Sequence, residues 1–160
     1  PDVDDQNNSS FGELGFWQRI SSYQQFIDES IRANYKNQPQ TAQDIQKQII
    51  EGDSNDIAIN YFFLEIIGLR NSDEIINVKF ATRDGTATSN EDYIPISGQI
   101  MVYPNEGHVL IPVEILGDTL KENDEIFYLD IFDPVGASFE NDVLILTAQR
   151  TIIDNDSYFV

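Results

Sequence analysis

What most constrains this chain is a run of short apolar segments between residues 45 and 153, separated by turn signals and joined without helices. Val109, Ile111, Val113 and Ile115 recur at every second position. Ile76, Val78 and Phe80 do the same around Asn77 and Lys79. A period of two sends successive side chains to opposite faces, so each segment reads as a half-buried strand. Further strands are expected over 45–50, 57–67, 98–103, 125–132 and 143–153. The breaks fall at Glu51-Gly52-Asp53, Asn71-Ser72-Asp73 and Pro104-Asn105-Glu106-Gly107, all rich in turn formers. About seven strands with no helical crossovers predict an all-β fold, an antiparallel β-sandwich.

Residues 11–36 have a different period. Ser10-Phe11-Gly12-Glu13 fits a capping box, and Trp17, Ile20, Gln24, Ile27 and Ile31 follow helical spacing. Leu14, Tyr23, Phe26 and Tyr35 widen the stripe. The pattern predicts one amphipathic helix over 12–35, ended before Pro39, with Trp17, Ile20, Ile27 and Ile31 as a buried stripe. It packs either on its own domain or on a neighbouring domain or subunit. Three parts follow: a polar arm and helix over 1–41, a sandwich over 42–156, and 157–160 as a tail or the start of another element. Pro1, in place of an initiator methionine, suggests a processed or excised fragment.

Charge narrows the partners. Nine basic residues face 28 acidic ones, a formal net charge of −19. Such a surface repels phosphate backbones and anionic membranes, so nucleic acid is excluded as the expected partner. No apolar run reaches the roughly 18 to 20 residues of a membrane span, so direct membrane insertion is not expected. The chain has no cysteine and one histidine, which removes disulfides, thiolate sites and multi-histidine metal chemistry. It also lacks a Gly-x-Ser-x-Gly elbow, a phosphate loop and a His-Glu-x-x-His helix. No enzymatic activity is expected. His108, beside an apolar alternation, reads as a surface strand residue.

The acids themselves are clustered at turns: Asp84 with Gly85-Thr86-Ala87, Asp92-Tyr93, Glu122-Asn123-Asp124-Glu125 and Asp154-Asn155-Asp156. Crowded carboxylates repel unless a hard cation neutralises them, and oxygen-rich clusters suit Ca²⁺. Asp118, Glu122, Glu125, Asp154 and Asp156, with Glu51 and Asp92, offer seven carboxylates, enough for one or two ions. Asp84-Gly85 is assigned to turn geometry instead, with Asp84 capping the turn and Gly85 at positive φ.

Together these motifs resemble the Calx-β domain family. The resemblance rests on Val78-Lys79-Phe80-Ala81-Thr82-Arg83-Asp84-Gly85-Thr86-Ala87, then Asp92-Tyr93, Gly98, Pro104-Asn105-Glu106-Gly107, Glu122-Asn123-Asp124-Glu125-Ile126-Phe127 and Ile152-Ile153-Asp154-Asn155-Asp156. It covers residues 45–156 and leaves out 1–40. It implies an immunoglobulin-like Greek-key sandwich with Ca²⁺ at one end. Carried over by position, it implies Glu51, Asp92, Asp118, Glu122, Glu125, Asp154 and Asp156 as carboxylate ligands. Leu120 would lend its carbonyl and Asn155 its amide oxygen. Gly117 and Thr119 stand where relatives carry acids, so the ligand set is reduced. The function implied is a calcium-binding structural or adhesive module, extracellular or at a cell surface. Its partners would be calcium ions and neighbouring domains or copies of itself, in a tandem array or a homopolymer. A calcium-sensing regulatory domain of a transporter or signalling protein is the alternative.

Overall fold

The computed structural model describes residues 24–34, 37–54, 56–70 and 73–157. The chain divides into two units, residues 1–37 and 38–160. In the first, the described helix is α1, Gln24–Ala33. It is held by side-chain bonds one turn apart, Gln24 to Asp28 at 2.8 Å and Gln25 to Glu29 at 2.7 Å. Trp17, Ile20 and the rest of the expected helix before residue 24 lie outside the described residues. The buried stripe is corrected on the part that is described: α1 buries none of its residues, and Phe26, Ile27 and Ile31 are 67%, 40% and 57% exposed. Helical spacing identifies the face a helix could bury. It does not supply the surface that buries it.

The described residues of the second unit form seven strands: β1 (Gln48–Ile50), β2 (Ile57–Glu65), β3 (Ile76–Asp84), β4 (Ser97–Val102), β5 (His108–Leu116), β6 (Glu125–Val135) and β7 (Ile145–Ile153). One sheet runs β1-β7-β6-β3-β4 and the other β2-β5. Among the described residues four pairings are antiparallel, and only β1 lies parallel to its neighbour, Gln48 opposite Thr151. This is the expected all-β immunoglobulin-like sandwich. β1 starts at Gln48, later than the expected residue 45; ahead of it Thr41 donates its amide and hydroxyl to Asp44 Oδ2, at 3.0 and 2.8 Å. That closes a single 3₁₀ turn at Ala42–Asp44, just before the point where the first strand was expected to begin.

The core follows the period-two reading. Val109, Ile111, Val113 and Ile115 of β5 are buried while their neighbours are not. They meet Phe62 of β2, Val78 of β3 and Phe127, Leu129 and Ile131 of β6. Phe127 is the hub, with Phe62 edge-on at 5.8 Å and Tyr93 stacked at 4.7 Å. His108 is exposed as expected, and stacks on Phe63 at 4.4 Å.

The pairing fixes what each end carries. β1, β3, β5 and β7 finish at the pole where β2, β4 and β6 begin. Glu51, Asp84, the loop 117–124 and residues 154–156 therefore converge.

Candidate metal centre

The turn after β3 is built by Asp84. Its carboxylate accepts the Ser89 amide at 3.1 Å and the Tyr93 hydroxyl in a short bond. Burial first, and then this contact, push the Tyr93 phenol well above its ordinary value. Asp84 thus caps the turn. Gly85 corrects the expectation, because it is not among the residues of positive φ. A Cβ there would collide with the carbonyl oxygen of Ile126, so glycine is required by close approach of β6. The turn aims Asp92 back at the pole, where Asp92 Oδ2 accepts the Thr88 amide at 2.6 Å.

The loop between β5 and β6 opens with Gly117. A Cβ at this position would lie 2.5 Å from the Gly52 carbonyl oxygen and 2.7 Å from that of Glu51. No acid fits without moving the backbone that carries Glu51, which gives the missing carboxylate a packing reason. Next comes an Asx turn, with the Leu120 amide donating to Asp118 Oδ1 at 2.6 Å. Beyond β7, the Asp154 amide donates to Asp124 Oδ1 at 3.3 Å. The Gly52 amide donates to Asn155 Oδ1 at 2.9 Å. Asn155, expected as a ligand, therefore also ties the end of β1 to the end of β7.

Two carboxylate groups result. In one, ligand oxygens of Glu51, Asp154 and Asp156 lie within 4.8 Å of one another; in the other, those of Asp92, Glu122 and Glu125 do. Asp118 adds negative charge felt by both Glu51 and Glu122. Burial pushes the Glu51 carboxyl up to about 7, reinforced by Asp118, Asp156 and Glu122. Burial likewise raises Glu125 to about 7, with Asp92 hydrogen-bonded beside it. Glu122 is raised by burial and by Asp92, Asp118 and Glu91.

Sequence reasoning missed Lys121. Its ammonium forms a close ion pair with Asp154 Oδ2, whose side chain is almost wholly buried. The available signal was its position, the one basic residue in the acidic loop 117–125. Glu51 Oε1 and Asp156 Oδ2 are buried with no hydrogen-bond partner among the described residues. A buried carboxylate oxygen without a donor is costly. Hard oxygens left this way, in a group already short of positive charge, fit a Ca²⁺ ion. A bound ion would supply neutralising charge and tie together the ends of β1 and β7, whose carboxylates otherwise repel.

Comparison with known proteins agrees with this architecture. The family model of the Calx-beta domain matches residues 37–156. The human extracellular matrix organizing protein FRAS1 is 32% identical over 102 residues, 62% of this chain and 2% of that protein. The sodium/calcium exchanger Calx of Drosophila melanogaster is 31% identical over 58 residues, 36% of this chain and 6% of the exchanger. Adhesion G-protein coupled receptor V1 of Danio rerio is 30% identical over 113 residues, 70% of this chain and 2% of the receptor. The chain thus spans only a small part of each of these relatives. The crystal structure of the apo form of the Calx CBD1 domain shares the fold, with a TM-score of 0.53 at 22% identity, covering 68% of this chain and 89% of that one. On the family match over residues 37–156, this chain belongs to the Calx-beta domain family.

Proposed function

We propose that this chain is a non-enzymatic module that binds Ca²⁺ at its acidic pole and stiffens a secreted or cell-surface protein. Glu51, Asp154 and Asp156 would hold one ion, and Asp92, Glu122 and Glu125 a second, with Asp118 between them. The Leu120 carbonyl and Asn155 amide would complete the shells. The observation that carries this reading is the pair of buried, unpartnered oxygens, Glu51 Oε1 and Asp156 Oδ2. An extracellular matrix protein and an adhesion receptor among the relatives support a structural role outside the cell. Ions at the pole that meets the next module would stiffen a tandem array or a polymer of copies.

The exchanger relative supports a second reading, a calcium sensor. Affinity separates the two. Extracellular modules hold Ca²⁺ at Kd values of about 10⁻⁴ to 10⁻³ M, and sensors at about 10⁻⁷ to 10⁻⁵ M. Competition against a chelating dye should place this chain in the weaker range; micromolar or tighter binding would favour the sensor.

Lys121 makes that weakness testable. Its ammonium must leave Asp154 before an ion takes that oxygen. Lys121→Gln should therefore tighten Ca²⁺ binding by about tenfold, the equivalent of about 1.4 kcal/mol. Unchanged or weaker binding would show that the lysine does not oppose the ion.

A further inference from the structure

The sandwich is open along one side. β1 covers only Thr151–Ile153 of β7, so among the described residues the outer edge of β7 over residues 145–150 has no partner strand. This uncovered stretch is about 20 Å long at the rise of a strand. Thr151 donates its amide to Lys47 on the β1 side, so the odd-numbered residues of β7 turn their main-chain groups outward. Ile145 and Thr147 therefore offer amide and carbonyl at the open edge. Among the described residues the facing edge of β2 also has no partner strand near Phe63 and Glu65. Ile66 donates to Gly107 on the β5 side, which sets the odd-numbered residues of β2 outward.

Between these two edges a cavity of about 160 Å³ reaches into the core, walled mainly by Phe62, Leu64, Ile111, Leu129, Leu146 and Ala148. Arg150 closes one end. It is 6% exposed, lies 4.1 Å from the Phe62 ring centre, and donates to Asn60 Oδ1, the Tyr61 carbonyl and the Gln149 carbonyl. No carboxylate pairs with it among the described residues. Arg150 also lines a second, wider cavity of about 830 Å³ with Gln46, Lys47, Gln48, Gln149 and Thr151. Two basic residues, Lys47 and Arg150, line it, and none of the described acidic residues does. In a chain of net charge −19 this is a local reversal of sign.

We propose that this side is a strand-accepting slot for an extended segment of another protein chain. That segment pairs its main chain with the outer edge of β7 and places an apolar side chain between the sheets. It also brings a carboxylate to Arg150 and Lys47. Open strand edges accept such an added strand through main-chain bonds, with side-chain pockets giving selectivity. Arg150 suits the carboxylate because its planar fork is already held in place.

A display library of random peptides about nine residues long, roughly one long strand, presented to the whole chain in millimolar Ca²⁺, tests the slot. Enriched peptides should alternate apolar and polar residues and carry Asp or Glu at a fixed offset from one apolar position. Lys47→Glu changes an exposed residue and should weaken those peptides by about tenfold or more. Thr147→Pro removes an outward amide from the β7 edge and should abolish binding, while the loss of the hydroxyl bond to Asp130 lowers the midpoint by only a few degrees. If that variant does not fold, the lysine variant decides alone. No enrichment, or affinities untouched by the substitutions, would overturn the proposal.

Discussion

Calcium should raise the thermal midpoint of this protein by on the order of 10 °C for each site filled. An ion bound only by the folded state stabilises it by mass action, about 2.7 kcal/mol at a hundredfold excess over Kd. For a domain of this size each kcal/mol moves the midpoint by several degrees. The source of the gain is specific. Glu51, Asp154 and Asp156 come from the ends of β1 and β7, and Asp92, Glu122 and Glu125 from three further points of the chain. Without a cation their mutual repulsion opposes the closed pole. Mg²⁺ should give a small increment, because it demands a tight octahedral shell and dehydrates reluctantly. Scanning calorimetry in chelator, about 30 mM Mg²⁺ and about 30 mM Ca²⁺, roughly a hundredfold above a Kd of about 10⁻⁴ to 10⁻³ M, reads the effect directly. Identical midpoints in all three would reject it.

The second large effect is a reversal of pH dependence. Glu51 and Glu125 stand at about 7 in the folded protein, above the ordinary 4.5. Between pH 4.5 and 7 the folded state therefore holds more protons than the unfolded chain, and stability falls as pH rises through that window. In chelator the midpoint should climb as pH is lowered from about 7.5 to about 5.5, because protonation relieves the crowded pole. With Ca²⁺ present the sign reverses. Ligand carboxylates must be ionised to hold the ion, so the calcium increment is largest above pH 7 and shrinks toward pH 5. The two curves should converge on acidification. Glu51→Gln should flatten the chelator curve, since it removes one of the two raised groups. Parallel curves at constant separation would contradict the assignment of these carboxylates to the site.

Much of this was legible in the residues because the relevant signals are local. The alternation in β5 specifies both the strand and its buried face, and Val109 to Ile115 occupy the core accordingly. Acids at strand ends were readable as one pole once the strands were placed, since connected antiparallel strands return their ends to shared poles. Features that depend on distant backbone were not readable. Gly85 looks like a positive-φ turn residue, yet its constraint is the Ile126 carbonyl, 41 positions away. Gly117 looks like a lost ligand, and it is a contact point for the backbone of Glu51 and Gly52. The parallel direction of β1 cannot be read from three residues. Nor could the side between β2 and β7, where among the described residues β1 pairs only with Thr151–Ile153 of β7. Lys121 is a plain surface lysine in sequence, and only the closure of the loop brings its ammonium to Asp154. The exposure of Ile27 and Ile31 belongs to the same class, because burial is a property of two surfaces.

The central claim is that the carboxylates at this pole bind Ca²⁺ as a set. Isothermal titration of the whole chain with Ca²⁺ near neutral pH, with Glu122→Ala, Asp156→Ala and Glu140→Ala measured alongside, tests it most directly. Glu140 lies between β6 and β7, away from the strand ends that form the pole. The account predicts saturable binding of one or two ions, lost in large part in Glu122→Ala and in Asp156→Ala and retained in Glu140→Ala. No saturable heat in the parent chain, or equal binding in all four proteins, would contradict it.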